Sequence, residues 1–294
     1  MADPIALSLS EVHAWHGWIG ERSSTPGEPR ESDLAILSAG ERARGRRFVR
    51  QADRVRFAVT HAAVRRLLAR YLAVGPAEVR FGRTPCCQCG SPGHGPPRID
   101  WPPTDVTCNL SGSGDRWLLA VTRGRRIGSD LEVPRDIDVG ELASGCLTAS
   151  EQQYLSGHRE DGQLQVFYRC WTRKEAVLKA CGVGLSSSLQ ALEVTPGLAG
   201  PVEVRHSCKA GPDLWVVQDL AAPAAWLGAI AQPAADAGRV RLREADDAWL
   251  ALTRARRLGR GPAGSGAGSE RGRELVLQAG QVAFAEHPLR IGSG

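Results

Sequence analysis

Lysine is scarce in this sequence, although the chain is rich in basic residues. Of 37 lysines and arginines, only Lys174, Lys179 and Lys209 are lysines, and the first two lie five positions apart. A compact ammonium on a flexible stem suits a crowded phosphate or proton-transfer site better than a forked guanidinium does. The pair Lys174 and Lys179 therefore marks a candidate functional segment.

Aromatic residues, long apolar runs and a signal segment are also missing, and each absence excludes a class of protein. Aromatic residues make up 5% of the chain, which argues against a surface that stacks the bases of single-stranded nucleic acid. No apolar run is long enough to span a bilayer, and the start of the chain lacks the basic region of a secretory signal. We expect a cytoplasmic protein that binds neither membranes nor nucleic acid, and we expect a monomer.

The cysteines predict no disulfide framework. The chain holds eight cysteines in 294 residues, and most lie among apolar neighbours, as buried or free thiols do. Cys86 and Cys89 form a lone CxxC, with His94 nearby and Cys108 beyond. A zinc site needs four ligands, and no second CxxC or HxxxH is present after it. A loop of free thiols is favoured over zinc.

A strongly basic segment comes after the first polar loop. Between positions 41 and 72, ten arginines face only Glu41 and Asp53. Ser38 and Glu41 have the spacing of a capping box, and an apolar residue at every fourth position from 55 to 71 predicts a helix with the arginines on its other faces. The one-sided charge favours an anionic partner over a merely solvated surface. The candidates are Arg44, Arg47 and Arg56.

A short hairpin is predicted before the acidic strand. Residues 106–110 and 117–122 are typical of strands, and SGSGD joins them. Backbone N–H groups of such a turn, with the hydroxyls of Ser111 and Ser113, are suited to an anion. By itself the segment is only a hairpin turn, so a phosphate site here depends on further charged groups in the next strand and helix.

Two carboxylates share one face of the next predicted strand. Residues 127–133 (IGSDLEV) indicate a strand that ends before Pro134. The period of two places Asp130 and Glu132 on one face and Leu131 on the other. Neighbouring carboxylates repel unless a cation offsets them, and Mg²⁺ typically takes one or two carboxylates with phosphate oxygens. A strand edge carrying acids for solubility is the alternative.

The segment 167–185 (FYRCWTRKEAVLKACGVGL) predicts a helix around which the chain is organised. Its spacing places an aromatic anchor, an acid and two cations along one side. Gly182 and Gly184 mark its end. The alternative is a solvated Glu-to-Lys pair on a helix surface. The residues of the predicted stripe are Trp171, Lys174, Glu175, Leu178 and Lys179.

The order of elements predicts an α+β protein with two similar halves. Helix, turn and strands occur before residue 123 and occur again after it, which indicates a cleft between related halves. We expect an N-terminal half over 1–123 and a C-terminal half over 124–233 that carries the metal site. Residues 234–294 are predicted to be an Arg/Gly-rich extension, partly disordered, with a helix over 234–258.

In this order, GSDLE and WTRKEAVLKACGVGL resemble the signature pair of the 4′-phosphopantetheinyl transferases, specifically the larger, surfactin-synthetase-activating class. That class has a GIDIE-like strand and a WxxKEAxxKAxGxGL-like helix. Weaker similarities in GRRFVRQADRVRF, CGSPGHGPP, NLSGSG and AAWLGAIAQP extend the resemblance over residues 40–233. The fold it implies is a pseudo-twofold pair of α+β halves with coenzyme A in the cleft.

The resemblance implies a Mg²⁺-dependent reaction. The phosphopantetheine arm of coenzyme A moves to a carrier-protein serine, and adenosine 3′,5′-bisphosphate is released. By position, Asp130, Glu132 and Glu175 would hold Mg²⁺, and Lys179 would stabilise charge on the leaving group. The base would be Glu151 or Glu175, and the resemblance leaves both open.

The resemblance also implies substrate contacts and a partner. Arg44 and Arg56 match cations that grip the 3′-phosphate, Ser111 matches a serine at the pyrophosphate, and Lys174 would lie near it. The partner would be an acidic acyl or peptidyl carrier domain of fatty acid, polyketide or nonribosomal peptide synthesis, and the Arg- and Ala-rich usage is typical of a GC-rich bacterial genome.

Three positions depart from the family pattern. Gly112 stands where the family has histidine in SHS, Pro96 stands where it has lysine in GKP, and Ser129 replaces the apolar residue of GIDIE. Since the metal and lysine positions are intact, we expect activity with weakened coenzyme A affinity. The alternatives are a catalytically weak relative that binds coenzyme A or a carrier without turnover, and an Arg-rich nucleic-acid binder with a steep salt dependence.

Overall fold

Helices and strands are mixed along the chain, as predicted for an α+β protein. The computed structural model describes residues 3–19, 29–85, 90–91, 95–183, 188–207, 211–221 and 226–245. The helices are α1 (Glu31–Leu34), α2 (Ala39–Gly45), α3 (Gln51–Leu72), α4 (Val139–Cys146), α5 (Ala149–Ser156) and α6 (Glu160–Cys181). The strands are β1 (Glu11–Trp18), β2 (Arg80–Arg83), β3 (Pro97–Trp101), β4 (Val106–Ser113), β5 (Arg116–Arg123), β6 (Gly128–Glu132), β7 (Val202–Arg205), β8 (Leu214–Asp219), β9 (Leu227–Pro233) and β10 (Arg239–Glu244).

The described strands form two four-stranded sheets and a separate pair, β2 with β3. In the first sheet, ordered β10-β1-β5-β4, β1 runs parallel to β10 and antiparallel to β5. The second, ordered β6-β9-β8-β7, is antiparallel throughout. A 22-residue helix packs on each sheet, α3 on the first and α6 on the second. The α+β class is confirmed, and the pseudo-twofold relation of the halves stays a prediction.

The apolar stripe of α3 builds the core beside the first sheet. Val55, Val59, Ala63 and Leu67 are buried in one cluster with Trp15 of β1. Four-residue spacing places these side chains on one helix face, and that face meets the sheet because burial removes it from water. The predicted helix and its apolar face are therefore confirmed.

Two of the arginines on the other faces of α3 form ion pairs within the fold. Arg65 is 2% exposed and forms an ion pair with Glu41 at 2.7 Å, and Arg66 forms one with Asp33 at 2.6 Å. A guanidinium is buried at acceptable cost only with such partners. The positive charge left for a ligand is smaller than the arginine count indicated.

The ends of α5 and α6 depend on local chemistry. Thr148 and Glu151 form the capping box that opens α5, a helix separate from α6. Gly182 ends α6 in the left-handed region, at φ 76°, where its N–H donates to the carbonyl of Leu178 at 2.9 Å. Glycine is favoured there because it has no Cβ to clash. The predicted end of the central helix is confirmed.

The prediction of a helix over 234–258 is wrong where the structure describes that range. Residues 239–244 form β10, which pairs parallel to β1, so this part of the extension belongs to the N-terminal sheet. The run RVRLRE alternates polar and apolar residues, which is a strand pattern. Val240 and Leu242 pack against the core on the inner face. Residues 246–294 lie outside the described residues.

Glu41 ties α2 to α3. It accepts from the Ser38 N–H in the predicted capping box, at 2.7 Å, and lies 3.3 Å from Nδ1 of His61. Burial alone would raise the pKa of Glu41, but hydrogen bonds from His61 and Arg65 and the charge of Arg65 outweigh it and lower the pKa to about 2. The carboxylate therefore stabilises the fold above its ordinary pKa of 4.5.

We expect Glu41→Gln to lower the free energy of unfolding by about 3 kcal/mol at neutral pH, because it leaves the buried Arg65 without its carboxylate. The loss should shrink as the pH falls below about 4.5 towards 2, where the wild-type carboxylate is itself protonated. Urea unfolding at several pH values measures both. A difference between variant and wild type that does not change with pH would contradict the assignment.

Candidate active site

Side chains of β4 bind the backbone of β6, and this contact brings the two sheets together. The N–H of Ser129 donates to Oδ1 of Asn109 at 3.0 Å. The N–H of Leu131 donates to Oγ of Ser111 at 3.3 Å, and the N–H of Val133 donates to Oγ of Ser113 at 3.2 Å. Both serines are strand residues and not part of a turn, which corrects their predicted place in the SGSGD turn.

The same serines hold the two carboxylates of β6. Oγ of Ser111 donates to Oδ1 of Asp130 at 2.8 Å, and Oγ of Ser113 donates to Oε2 of Glu132 at 2.7 Å. A hydroxyl has one proton to give and two lone pairs. Each serine can therefore accept from the backbone and still orient a carboxylate, and the predicted alternation of Asp130 and Glu132 places both on this edge.

Helix α6 brings Glu175 and Lys179 to the same place. Nζ of Lys179 lies 2.6 Å from Oδ1 of Asp130 and donates to Oγ of Ser111 at 3.1 Å. The approach requires Gly128 at the start of β6, since a Cβ there would lie 1.9 Å from the carbonyl oxygen of Ala176. The missing side chain lets α6 lie directly on β6.

The cluster contains three carboxyl groups and one ammonium, so the positive charge of Lys179 does not offset all of its acids. Burial, and next the charge of Asp130, raise the pKa of Glu132 to about 7. Burial also raises the pKa of Glu175 to about 7, since the lowering effect of Lys179 is countered by Asp130. Burial alone would lower the pKa of Lys179, but the carboxylates around it raise it. Lys179 therefore stays protonated among the three acids.

The donor set fits a divalent cation bound by oxygen. Oδ2 of Asp130 and Oε1 of Glu175 are buried and have no hydrogen-bond partner among the described residues. Unpaired buried carboxylate oxygens are costly, and a hard cation is their usual partner. In the described part of the chain no three His, Cys, Asp or Glu side chains already converge as ligands, and Asp130 faces Lys179 instead. The Mg²⁺ assignment stays a prediction.

Glu151 and Lys174 form a separate ion pair in the core. Their side chains are 0% exposed, and Nζ of Lys174 lies 2.6 Å from Oε2 of Glu151. Lys174 also donates to the carbonyl of Leu189 at 2.8 Å, and Oε1 of Glu151 accepts from the N–H of Val194 at 2.8 Å. Neither residue has a polar contact in the carboxylate cluster, so the structure does not support a base role for Glu151 or a phosphate contact for Lys174.

Helix geometry explains this separation. Residues five apart in an α-helix differ in direction by about 140°, since each residue advances the helix by about 100°. Lys174 and Lys179 therefore point to different surroundings and do not share the predicted stripe. Lys179 faces Asp130, while Lys174 faces the buried Glu151.

The two predicted phosphate-binding arginines lie in different surroundings. Arg44 lines a pocket of about 480 Å³ together with Phe57, His61 and Arg80, and its guanidinium lies 5.8 Å from the centre of the Phe57 ring. Arg56 is not among the described residues that line this pocket. It donates to Asp115 at 2.6 Å and to Asp53 at 2.9 Å.

The three positions that depart from the family pattern, Gly112, Ser129 and Pro96, have structural consequences. Gly112 lies on β4 between the two serines. Oγ of Ser129 donates to the carbonyl oxygen of Asn109 at 3.1 Å, so this departure adds a bond between the sheets. The Pro96 ring packs against the end of α6. A Cβ on Gly182 would lie 2.9 Å from this ring.

Sequence reasoning gave no role to Asn109 and left Ser113 in a turn. The signal was present in VTCNLSGS, where Asn109, Ser111 and Ser113 recur with the period of a strand face.

The CxxC of Cys86 and Cys89, with His94, lies outside the described residues. None of the described helices has the length and apolar character needed to cross a bilayer.

Comparison with known proteins agrees with this geometry. The family model described as the 4′-phosphopantetheinyl transferase superfamily matches residues 126–231, which contain β6 and α6. The chain is 28% identical over 177 residues to the 4′-phosphopantetheinyl transferase Sfp of Bacillus subtilis (strain 168), covering 60% of this chain and 74% of the relative. A putative 4′-phosphopantetheinyl transferase, slr0495 of Synechocystis sp., is 33% identical over 168 residues, 56% of this chain and 65% of the relative.

A further relative is the 4′-phosphopantetheinyl transferase HetI of Nostoc sp. The identity is 33% over 195 residues, which are 65% of this chain and 76% of the relative. The match thus spans most of a complete relative, beyond the signature strand and helix alone. From this extent of similarity, the chain belongs to the 4′-phosphopantetheinyl transferase superfamily.

Proposed function

We propose that this chain transfers the 4′-phosphopantetheine arm of coenzyme A to a serine of an acyl or peptidyl carrier protein, with Mg²⁺, and releases adenosine 3′,5′-bisphosphate. The observation that carries the proposal is the cluster of Asp130, Glu132 and Glu175 around Lys179. Its unpaired carboxylate oxygens fit a divalent cation, and its lysine fits a phosphate. Both are needed for displacement at a pyrophosphate.

Asp130, Glu132 and Glu175 would hold the cation. When bound, Mg²⁺ would withdraw charge from the pyrophosphate and orient it. Ser111 and Ser113 fix the directions of the two strand carboxylates. This preorganisation matters because phosphoryl transfer depends on positioning and on stabilisation of the developing charge.

Lys179 and Glu175 would handle charge and proton. Lys179 is 23% exposed in the cluster, so its ammonium can reach a pyrophosphate oxygen and stabilise the leaving group. Glu175 has a buried oxygen without a partner among the described residues, and it can accept the proton of the carrier serine directly or through one water. Since Glu151 is fully buried and engaged on both oxygens, Glu175 is the base that we propose.

Arg44 and Arg56 remain our candidates for the 3′-phosphate. Arg44 is supported by its place in the pocket beside α3, whereas Arg56 already faces two carboxylates. An acidic carrier domain would suit the exposed arginines 46, 47, 50 and 54, since charge complementarity steers association. We further propose that the protein acts as a monomer in the cytoplasm.

The second candidate function is a relative that binds coenzyme A or a carrier protein and does not turn over. Gly112 favours it, because this position of β4 lies between the serines that hold the carboxylates and contributes no cation there. A binding-only protein would take up coenzyme A and leave the carrier unmodified.

The first test is the mass of an apo carrier protein after incubation with the full chain, Mg²⁺ and coenzyme A. We expect a gain of one phosphopantetheine with wild type and a loss of at least about a hundredfold in rate with Glu175→Gln, as is usual when a general base is removed. Glu160→Gln, at an exposed acid in the first turn of the same helix, is the matched control and should retain full activity. Wild type that binds coenzyme A and modifies none of several carriers would support the second candidate.

Glu151→Gln separates a structural role from a base role. Because it leaves the ammonium of Lys174 buried without its carboxylate, we expect a loss of about 3–5 kcal/mol in unfolding free energy. Below its lowered melting temperature the variant should keep a kcat within about threefold of wild type, since its contacts lie in the core. Thermal denaturation and the carrier assay measure both. Normal stability with a lost kcat would restore Glu151 as the base.

Gly112→His tests whether the missing family cation weakens coenzyme A binding. A new charged hydrogen bond to a phosphate is worth about 1.5–3 kcal/mol, so affinity should rise by roughly tenfold to a hundredfold at a pH near 6, where the imidazole is protonated. Gly112→Leu adds comparable bulk without a donor and should not tighten binding. Calorimetric titration with coenzyme A measures the effect, and equal affinities for the two variants would refute it.

A further inference from the structure

Lys179 contacts a predicted metal ligand, Asp130. Its ammonium lies 2.6 Å from Oδ1 of Asp130 and donates to Oγ of Ser111, which itself donates to the same carboxylate oxygen. One oxygen of Asp130 therefore has two donors, while the other is buried without a partner among the described residues. The lysine occupies one side of the carboxylate that a cation would need.

This contact accounts for the arrangement of the acids. The charges of Asp130 and Lys179 act on both Glu132 and Glu175, yet within the described ranges no three acidic, histidine or cysteine side chains converge as ligands. An ammonium among three carboxylates takes over part of the charge balance that a divalent cation would supply. The acids are thus gathered around Lys179, and the unpaired oxygens of Asp130 and Glu175 lie within the same cluster.

We propose that Lys179 competes with Mg²⁺ for Asp130 in the free protein and is released to the coenzyme A pyrophosphate when the metal enters. The inference rests on the proposed function for the identity of the phosphate, but the competition itself does not. Lysine suits such an exchange because its ammonium is a compact point charge on a flexible stem. Its 23% exposure leaves the side chain room to turn towards the cleft.

The exchange couples the two ligands. If Mg²⁺ bound alone, Lys179 would lose its contact with Asp130 and its ammonium would stay close to a second cation, which would weaken metal binding. With coenzyme A present, the pyrophosphate receives the ammonium, and the same metal binds more tightly. Coupling between binding sites is reciprocal, so Mg²⁺ must raise the affinity for coenzyme A by the same factor.

Calorimetric titration of the full chain with Mg²⁺, in the absence of coenzyme A, tests the competition. Lys179→Met removes the competing ammonium, so we expect Mg²⁺ to bind at least about tenfold more tightly than to wild type, since losing a close charged contact changes affinity by that order. Lys179→Arg keeps a cation that can pair with Asp130 and should bind Mg²⁺ as weakly as wild type. Lys179→Gln replaces the methionine variant if circular dichroism shows that the latter is unfolded.

Arg135→Met is the matched control for net charge. The charge of Arg135 acts on Glu132, but no hydrogen bond or ion pair from its side chain to the cluster is among the described contacts. We expect it to tighten Mg²⁺ binding by less than about threefold, as for a charge that acts without direct contact. Equal tightening by both methionine variants, or none by Lys179→Met, would overturn the proposal.

Titration with coenzyme A present separates this inference from the proposed function. Wild type should show a larger gain in Mg²⁺ affinity on adding coenzyme A than Lys179→Met does. A protein that binds both ligands with this coupling but modifies no carrier would leave the exchange intact and refute the transferase. A working transferase without the coupling would refute the exchange and leave the proposed function intact.

Discussion

The contact between β4 and β6 is the interaction on which the site depends. Edge strands normally leave backbone N–H groups unpaired. Here Asn109, Ser111 and Ser113 accept from three alternate N–H groups, two on β6 and one directly after it. The side chains of β4 are the acceptors that the backbone carbonyls of a neighbouring strand would otherwise be. Because the serine hydroxyls accept these bonds, their protons stay available for Asp130 and Glu132. One set of contacts therefore joins the sheets and orients Asp130 and Glu132.

Two groups of buried charge in the second half serve different purposes. Lys174 and Glu151 form a one-to-one ion pair that is fully buried. This pair stabilises the packing of α5, α6 and the segment before β7. Around Lys179 three acids face one cation, and the pKa values of Glu132 and Glu175 rise to about 7. Such an imbalance opposes folding, and clusters of this kind are common at functional sites.

Much of the site could be predicted from local periodicity. Alternation in IGSDLEV placed Asp130 and Glu132 on one face, and the helical spacing of 167–185 brought Glu175 and Lys179 together one turn apart. The roles of Asn109 and Ser113 were not predicted, because a strand sequence states which residues share a face and not which strand lies beside it. β10 was missed because the alternation in RVRLRE was assigned to an Arg-rich helix, and its partner β1 is more than 200 residues away.

The sequence by itself determined α3, β6, the C-terminal end of α6 and the residue types of the site, because periodicity and the φ of Gly182 are local properties. Only the tertiary structure decided which charges meet. Lys174 and Lys179 have the same side chain and lie five positions apart, but packing places one against Glu151 and the other against Asp130. The energy of a buried charge depends on the partners that distant segments bring to it, and no local pattern specifies those partners.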